Sequence, residues 1–367
     1  MKFKKAVGLV FSCLVLGSGV PASAGTITYT CDPSIAASTC NYLNTTVAAQ
    51  YSSTFTNASA NIYIQYGTTG LASTESYLNA TSYTSYLSAL TANADQSSLQ
   101  VQALAALNTY DTAPYGSGEV AITDALGEAL GLTSGLTGIA PGGISCSFPS
   151  SGCYNAIVTV TNDPSTPLYY DNLGGPEPSD AYDFYSTVEH ETDEVLGTAS
   201  CIDTQGPSLS NGCSSAGADI ASAADLFRYS APGSLVLDSS LSTTPGAYFS
   251  YDGGVTNGAT GIGGSPTYYN TLNNGEDYAD FVSSSPDCGT NEAVQDATGC
   301  PGEDAGLDIL NDGGSEINIL NAVGYDLTAS VAPAPTPEPG SLTLLASGLV
   351  GLATYYRRRK RGGDAVS

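Results

Sequence analysis

Between residues 60 and 66 the chain alternates, with Ile62, Ile64 and Tyr66 separated by Tyr63 and Gln65, and this period of two predicts a strand. Residues 118–123 and 155–161 are rich in Val, Ile and Thr and predict two more. Elsewhere the period lengthens. Leu, Tyr and Ala recur at helical spacing through 77–94 and 97–107, and a shorter helix is expected over 124–132. Residues 180–196 carry apolar side chains at helical intervals and stop at Gly197, which suits the left-handed turn that closes a helix. Beyond it the pattern breaks into loops, with short elements expected at 226–229 and 247–251 and a last helix at 315–323. No internal repeat is visible. The fold class expected is α/β, with a loop-rich C-terminal half.

The two ends read as addresses. Lys2, Lys4 and Lys5 precede an apolar stretch over 6–16, and Ala22-Ser23-Ala24 supplies small residues for cleavage, so 1–24 reads as a secretory signal peptide. Residues 331–340 are Pro-rich and read as an extended linker. An apolar run over 342–356 follows, just short of the ~17–25 residues that span a bilayer. The basic cluster at 357–361 would stay cytoplasmic. Pro337-Glu338-Pro339, then an apolar helix, then arginines resembles the PEP-CTERM sorting signal of bacterial surface and secreted proteins. The resemblance implies an exosortase-type sorting protease as partner and transient membrane anchoring through the helix at 341–361. It also implies a secreted or cell-surface location reached through the periplasm. A permanent single-span anchor is the alternative. Between these ends the expected units are an N-terminal α/β subdomain, 25–197, and a loop-rich C-terminal subdomain, 198–330.

Charge sharpens this picture. The 367 residues hold 35 Asp+Glu, 9 Lys+Arg and one His, a formal net charge of −26. Eight of the nine basic residues lie in the two sorting segments, so Arg228 is the one basic residue between Gly25 and Glu338, against 34 acidic ones. Such a body cannot neutralise phosphates, which excludes ordinary nucleic-acid binding and attraction to an anionic membrane surface. Its carboxylates must instead be solvated, hydrogen-bonded or bound to cations. Of nine cysteines, Cys13 lies in the signal peptide; the others fall as Cys31/Cys40, Cys146/Cys153, Cys201/Cys213 and Cys288/Cys300. Export makes oxidation the default, and the spacing favours four local disulfide loops, although spacing alone proves no pairing. A cysteine-zinc cluster is disfavoured, because no CxxC occurs and there is one His.

That His lies in Glu189-His190-Glu191-Thr192-Asp193-Glu194-Val195-Leu196-Gly197. On a helix, residues four apart share a face, so His190 and Glu194 can converge on one ion. Glu191, beside the first ligand, is placed to take a proton from a metal-activated water. Carboxylates cluster again at Glu276/Asp277/Asp280 and at Glu303/Asp304/Asp308/Asp312, where neighbouring Gly and Asn could let oxygens wrap Ca²⁺. The spacing matches no EF-hand, and a solvated acidic loop is the plainer reading of both. No GxSxG and no phosphate-cradling glycine loop is present.

His190-Glu191-x-x-Glu194-x-x-Gly197 resembles the metzincin zinc-peptidase helix HExxHxxGxxH, with Glu in the second ligand place. Asp225-Leu226-Phe227-Arg228-Tyr229-Ser230 is similar to the metzincin Met-turn segment, with Phe227 where methionine would stand. The wider pattern also resembles PEP-CTERM-associated metalloproteases with an HExxE helix. It implies a metzincin-like domain, a mixed sheet with an active-site helix, and a divalent transition metal, Zn first, with Ca as an alternative. The chain departs from the pattern at Glu194, at Ser200 in the third-ligand place, and in having no Met after Met1. A third ligand could come from Asp203 or Asp225; Asp225 has a rival role, in an ion pair with Arg228 or as an N-cap to the turn that follows. Tyr229 or Arg228 is expected to stabilise an oxyanion. The function expected is a secreted or surface metal-dependent peptidase acting on a protein or peptide substrate. The alternative is a non-catalytic acidic surface or extracellular-matrix protein that retains a degenerate helix.

Overall fold

The computed structural model describes residues 25–94, 97–110, 118–132, 136–170, 178–202, 213, 220–237, 246–256, 268–269, 277–282, 293–302 and 315–328. The signal peptide, the Pro-rich linker and the C-terminal apolar helix expected above lie outside the described residues.

Strand β1, Ile27–Cys31, buries Ile27 and Tyr29 and turns Thr28 and Thr30 to solvent, a period-two pattern. The chain then crosses over through α1, Ala37–Tyr42, a π-helical turn at Leu43–Val47 and α2, Ala48–Thr54. It returns as β2, Ala60–Gly67, parallel to β1 with Ile27 opposite Ala60. A short turn leads to β3, Ala72–Ser76, and then to β4, Leu78–Ser82. Helices α3, Tyr83–Asn93, and α4, Ser98–Leu107, come next, then β5, Glu119–Thr123, and α5, Asp124–Ala129. A hairpin of β6, Thr137–Ala140, and β7, Ile144–Ser147, precedes β8, Ala156–Thr161.

The main sheet runs β1-β2-β8-β3. Its first three strands are parallel, and β3 is antiparallel on the edge. Strand β8 is buried along nearly its whole length, as expected for an internal strand reading Ala-Ile-Val-Thr-Val-Thr. A second sheet pairs β4 antiparallel to β5. The architecture is thus mixed α/β, with several small sheets and few helices.

Two sequence expectations shift. Residues 77–82 are not helical: Leu78–Ser82 pairs with β5, and helix α3 starts only after Ser82, whose Oγ accepts Ser85 N–H at 3.1 Å. Helical spacing upstream of Ser82 was coincidental, and strand pairing overrides it. Likewise the helix expected from 180 begins later. Tyr182–Asp183, β10, pairs in parallel with Leu168–Tyr169, β9, and Asp183 caps α6, Phe184–Leu196.

One apolar cluster joins both halves of the chain, from Ile27 and Tyr51 through Leu126 and Val188 to Leu320 and Tyr325. Helix α7, Ser315–Val323, closes it, and the segment behind it returns to α2, where Thr56 N–H donates to Asp326 O at 2.8 Å. Three disulfides, Cys31–Cys40, Cys146–Cys153 and Cys201–Cys213, pin loops as the spacing suggested. Cys300 is also disulfide-bonded, and Cys288 lies outside the described residues.

One buried acid sits apart from the rest. Asp124 opens α5, takes Asn79 Nδ2–H on Oδ1 at 2.6 Å, and has no partner on Oδ2 among the described residues. Burial pushes its carboxyl up to about 7. An acid whose pKa rises on folding stabilises fully below its unfolded value, and loses that contribution as pH climbs through about 7. Asp124→Asn is therefore expected to stabilise the chain by about 1 kcal/mol at pH 8, allowing for solvent screening, and by much less at pH 4–5. Urea melts at the two pH values check this; equal shifts at both would contradict it.

Candidate metal centre

Helix α6 is fixed at both ends. Asp183 Oδ1 accepts Ser186 N–H at 2.6 Å and Ser186 Oγ–H at 2.9 Å, satisfying an N-terminal donor. At the other end Gly197 takes φ +119°, and its N–H donates to Asp193 O at 2.9 Å. A side chain there would be strained, which is why the glycine ends the helix. The apolar face, Phe184, Val188, Val195 and Leu196, is buried in the main core. The polar residues behind it are buried too: Tyr51 OH donates to Asp193 Oδ1 at 2.8 Å, and Tyr29 OH meets Thr192 Oγ1 at 3.0 Å.

On the remaining face stand His190 and Glu194, with His190 Nε2 4.0 Å from Glu194 Oε1. The third member comes from the loop region. Asp280 Oδ1 lies 3.6 Å from His190 Nε2, and all three donor atoms fall within 4.8 Å of one another. His190 is 18% exposed, Glu194 15% and Asp280 4%, so the group is open on one side. His190 Nδ1 lies 2.8 Å from Val294 O. A carbonyl only accepts, so Nδ1 carries the proton and Nε2 is the end turned toward the two carboxylates.

By its chemistry this donor set is one that a divalent cation could take. Bonds of about 2.0–2.2 Å in a tetrahedron place ligand atoms ~3.3–3.6 Å apart; His190 and Asp280, at 3.6 Å, meet that spacing, and His190 and Glu194, at 4.0 Å, exceed it. One imidazole with two carboxylates is a set that Zn, Mn and Fe accept. Ca²⁺ prefers six or more oxygens and suits it less.

The carboxylates and the imidazole also set one another's protonation. Asp280 and Glu191, with the Val294 carbonyl, overcome the lowering effect of burial and push His190 up to about 9. Burial, then the charges of Glu191, Asp280 and Asp277, hold Glu194 well above the usual carboxylate range. Burial and Asp280 do the same to Asp277, although Ser200 N–H and Ala279 N–H both donate to it. Glu191 is raised by burial, against the opposing pull of His190 and Thr74. Its Oε2 accepts Thr74 Oγ1–H from β3 at 2.5 Å, and its side chain also hydrogen-bonds Glu194. A positive ion would relieve this crowding of carboxylates.

Other expected site residues stand elsewhere. Asp225 belongs to a short 3₁₀ turn, Ala224–Phe227, following β11, Ala221–Ser222. Its carboxylate is consumed by Ser200 Oγ–H at 2.6 Å, Cys201 N–H at 2.9 Å and Ser222 N–H at 2.9 Å. The ligand role expected of Asp225 thus gives way to a structural one, and Asp280 takes the place beside His190. Arg228 begins β12, Arg228–Ala231, which pairs with β13, Ser234–Leu235, and β14, Tyr248–Phe249. Arg228 is 1% exposed, donates through Nη1 to Tyr278 O, and lies 4.9 Å from the Tyr269 ring centroid. This buried guanidinium is engaged by the Tyr278 carbonyl and the Tyr269 ring. Tyr229 is equally buried; its OH is 3.5 Å from Tyr110 OH. Neither is among the groups beside His190 Nε2. Asp203, Glu276, Glu303, Asp304, Asp308 and Asp312 lie outside the described residues. Gln295 and Thr74 carry no sequence signal that would single them out. Asp280 stands in the Glu276/Asp277/Asp280 cluster that the sequence marks, but the solvated loop expected there is corrected: Asp280 is buried against His190.

A family model for the PEP-CTERM protein-sorting motif matches residues 335–360. The motif implies export to the cell surface or beyond, and recognition by an exosortase-type sorting enzyme. No curated protein matches the chain, and no solved structure does. Among the described residues no helix is long and apolar enough to cross a membrane.

Proposed function

We propose that the chain is a secreted metal-dependent peptidase of metzincin-like architecture, in which His190, Glu194 and Asp280 hold one divalent cation and Glu191 is the general base. The convergence of those three donor atoms within 4.8 Å of one another carries this reading. The mixed sheet packed against the HExxE helix supports the architecture.

A cation held there would polarise a peptide carbonyl and acidify a neighbouring water. Glu191 would take a proton from a water there as the water oxygen bonds to the carbonyl carbon, and would pass it to the amine nitrogen as the C–N bond breaks. Thr74 fixes one oxygen of Glu191, so the base keeps its orientation from the edge strand β3. Val294 O accepts from His190 Nδ1–H, so Nε2 is the nitrogen that would be offered to a cation.

Glu191→Gln keeps the shape of the side chain and removes its basicity. Peptide hydrolysis by the exported chain is expected to fall about 10²–10⁴-fold, with cation content unchanged. Undiminished hydrolysis would sink the assignment of Glu191.

A further inference from the structure

Gln295 is fully buried, yet its side-chain amide lies against the donor group. Nε2 donates to Asp280 Oδ1 at 3.0 Å and stands 3.5 Å from His190 Nε2. The other end of the amide is turned away, because Oε1 accepts Thr198 Oγ1–H at 3.3 Å, just past the end of α6. The backbone is held as firmly: Gln295 N–H donates to Glu316 Oε1 at 3.1 Å, and Gln295 O accepts Phe281 N–H at 2.8 Å. Ala297 N–H then donates to Phe281 O at 2.9 Å, so the segment bearing Asp280 is zipped to the segment bearing Gln295. The residue before it, Val294, supplies the carbonyl that orients His190.

We infer that Gln295 is a positioning residue of the metal centre, whose amide nitrogen fixes the Asp280 carboxylate beside His190 Nε2. The inference rests on the reading of His190, Glu194 and Asp280 as ligands. Burying an amide at such a place costs stability unless both its ends are satisfied, and here both are. Its donor end aims at a ligand oxygen. Such outer groups hold a ligand in place before the ion arrives, and losing one typically costs about 10–100-fold in metal affinity. Val294 and Gln295 together would orient two of the three ligands from one short segment. Asp280 thus reaches the helix despite its distance along the chain.

The test is a Co²⁺ titration of the exported chain, following the visible absorption of the bound ion and competing it against a chromogenic chelator. Gln295→Met keeps length without a donor and should weaken Co²⁺ binding about 10–100-fold, with the absorption spectrum at saturation unchanged because the ligands remain. Gln295→Glu also removes the donor and should not rescue affinity. Should either variant fold poorly, as judged by thermal melting without metal, Thr198→Val frees the oxygen end of the amide and should weaken binding in the same direction. Affinity within twofold of the unsubstituted chain in folded Gln295→Met would overturn the inference. Tighter binding by Gln295→Glu would overturn it as well, because the residue would then be acting as an oxygen ligand. Failure of the unsubstituted chain to bind Co²⁺ would remove the metal centre itself, and this inference with it.

Discussion

Asp280→Asn is expected to lower the affinity of the chain for Zn²⁺ or Co²⁺ by more than about 100-fold and, in the same protein, to raise its stability without metal. The two effects have one cause. Without an ion, Asp280 adds a negative charge to a pocket that already holds Glu191, Glu194 and Asp277, and it raises the pKa of each of them. His190 is the cation among these groups, and Asp280 is the principal charge keeping it protonated. An amide at 280 keeps an oxygen for the Gln295 donor; it gives up the attraction to His190 but removes repulsion of three neighbouring carboxyls, and the three repulsions set the expected sign. The gain in metal-free stability is expected at about 1 kcal/mol, read from urea melts in the presence of chelator. A residue held merely for structure would behave differently, since its loss would lower stability and leave affinity alone. A variant that loses stability and keeps its affinity would therefore remove Asp280 from the ligand set.

Asp225→Ala is expected to be the more damaging change to the fold, costing about 3–5 kcal/mol. Three donors lose their acceptor together: Ser200 Oγ–H, Cys201 N–H and Ser222 N–H. A buried N–H left without a partner costs about 1–3 kcal/mol, and two are exposed to that penalty here. Arg228 loses the largest of the negative-charge effects that offset its burial. Asp225→Asn retains an acceptor and should cost roughly half as much. Denaturant melts of the two variants measure the difference, and a loss below about 1 kcal/mol in Asp225→Ala would contradict the account of Asp225 as a structural hub. Taken with Asp280→Asn, the pair separates a ligand from a support by the sign of the stability change.

How much of this was legible in the sequence differs from element to element. Strands β2, β5 and β8 were readable because Ile, Val and Thr recur with the pleat, and α6 was readable because Gly197 marks its end. The stretch at 77–82 was misread, because a short strand of Leu, Asn, Ala, Thr and Ser has no strong period and its partner β5 lies far along the chain. Helices α1 and α2 gave little signal, since their Ser-, Thr- and Asn-rich faces lack charged residues to mark a solvent side. Within the site, His190 and Glu194 follow from helical spacing, and Glu191 from its place beside the first of them. Asp280 and Gln295 come from irregular segments brought in by tertiary contacts, and no spacing rule relates them to the helix. Asp225 looked like a ligand because it is acidic and near the resembling turn, but serine hydroxyls and backbone N–H groups already satisfy it.

The acidic body also makes more sense in three dimensions. With Arg228 as its one Lys or Arg between Gly25 and Glu338, it satisfies carboxylates by hydroxyl donors: Ser34 at Asp32, Ser186 at Asp183, Tyr51 at Asp193 and Thr256 at Asp252. Around His190 the acids Glu191, Glu194 and Asp280 share one imidazole, with Thr74 donating to Glu191 and Gln295 to Asp280.

The most direct test is therefore the metal content of the exported chain, purified without chelator and measured by elemental mass spectrometry alongside His190→Ala. The account predicts about one divalent transition-metal ion per unsubstituted chain, as a single three-ligand site requires, and essentially none in the variant. An unsubstituted chain without metal, or a His190→Ala chain that retains it, would contradict the account.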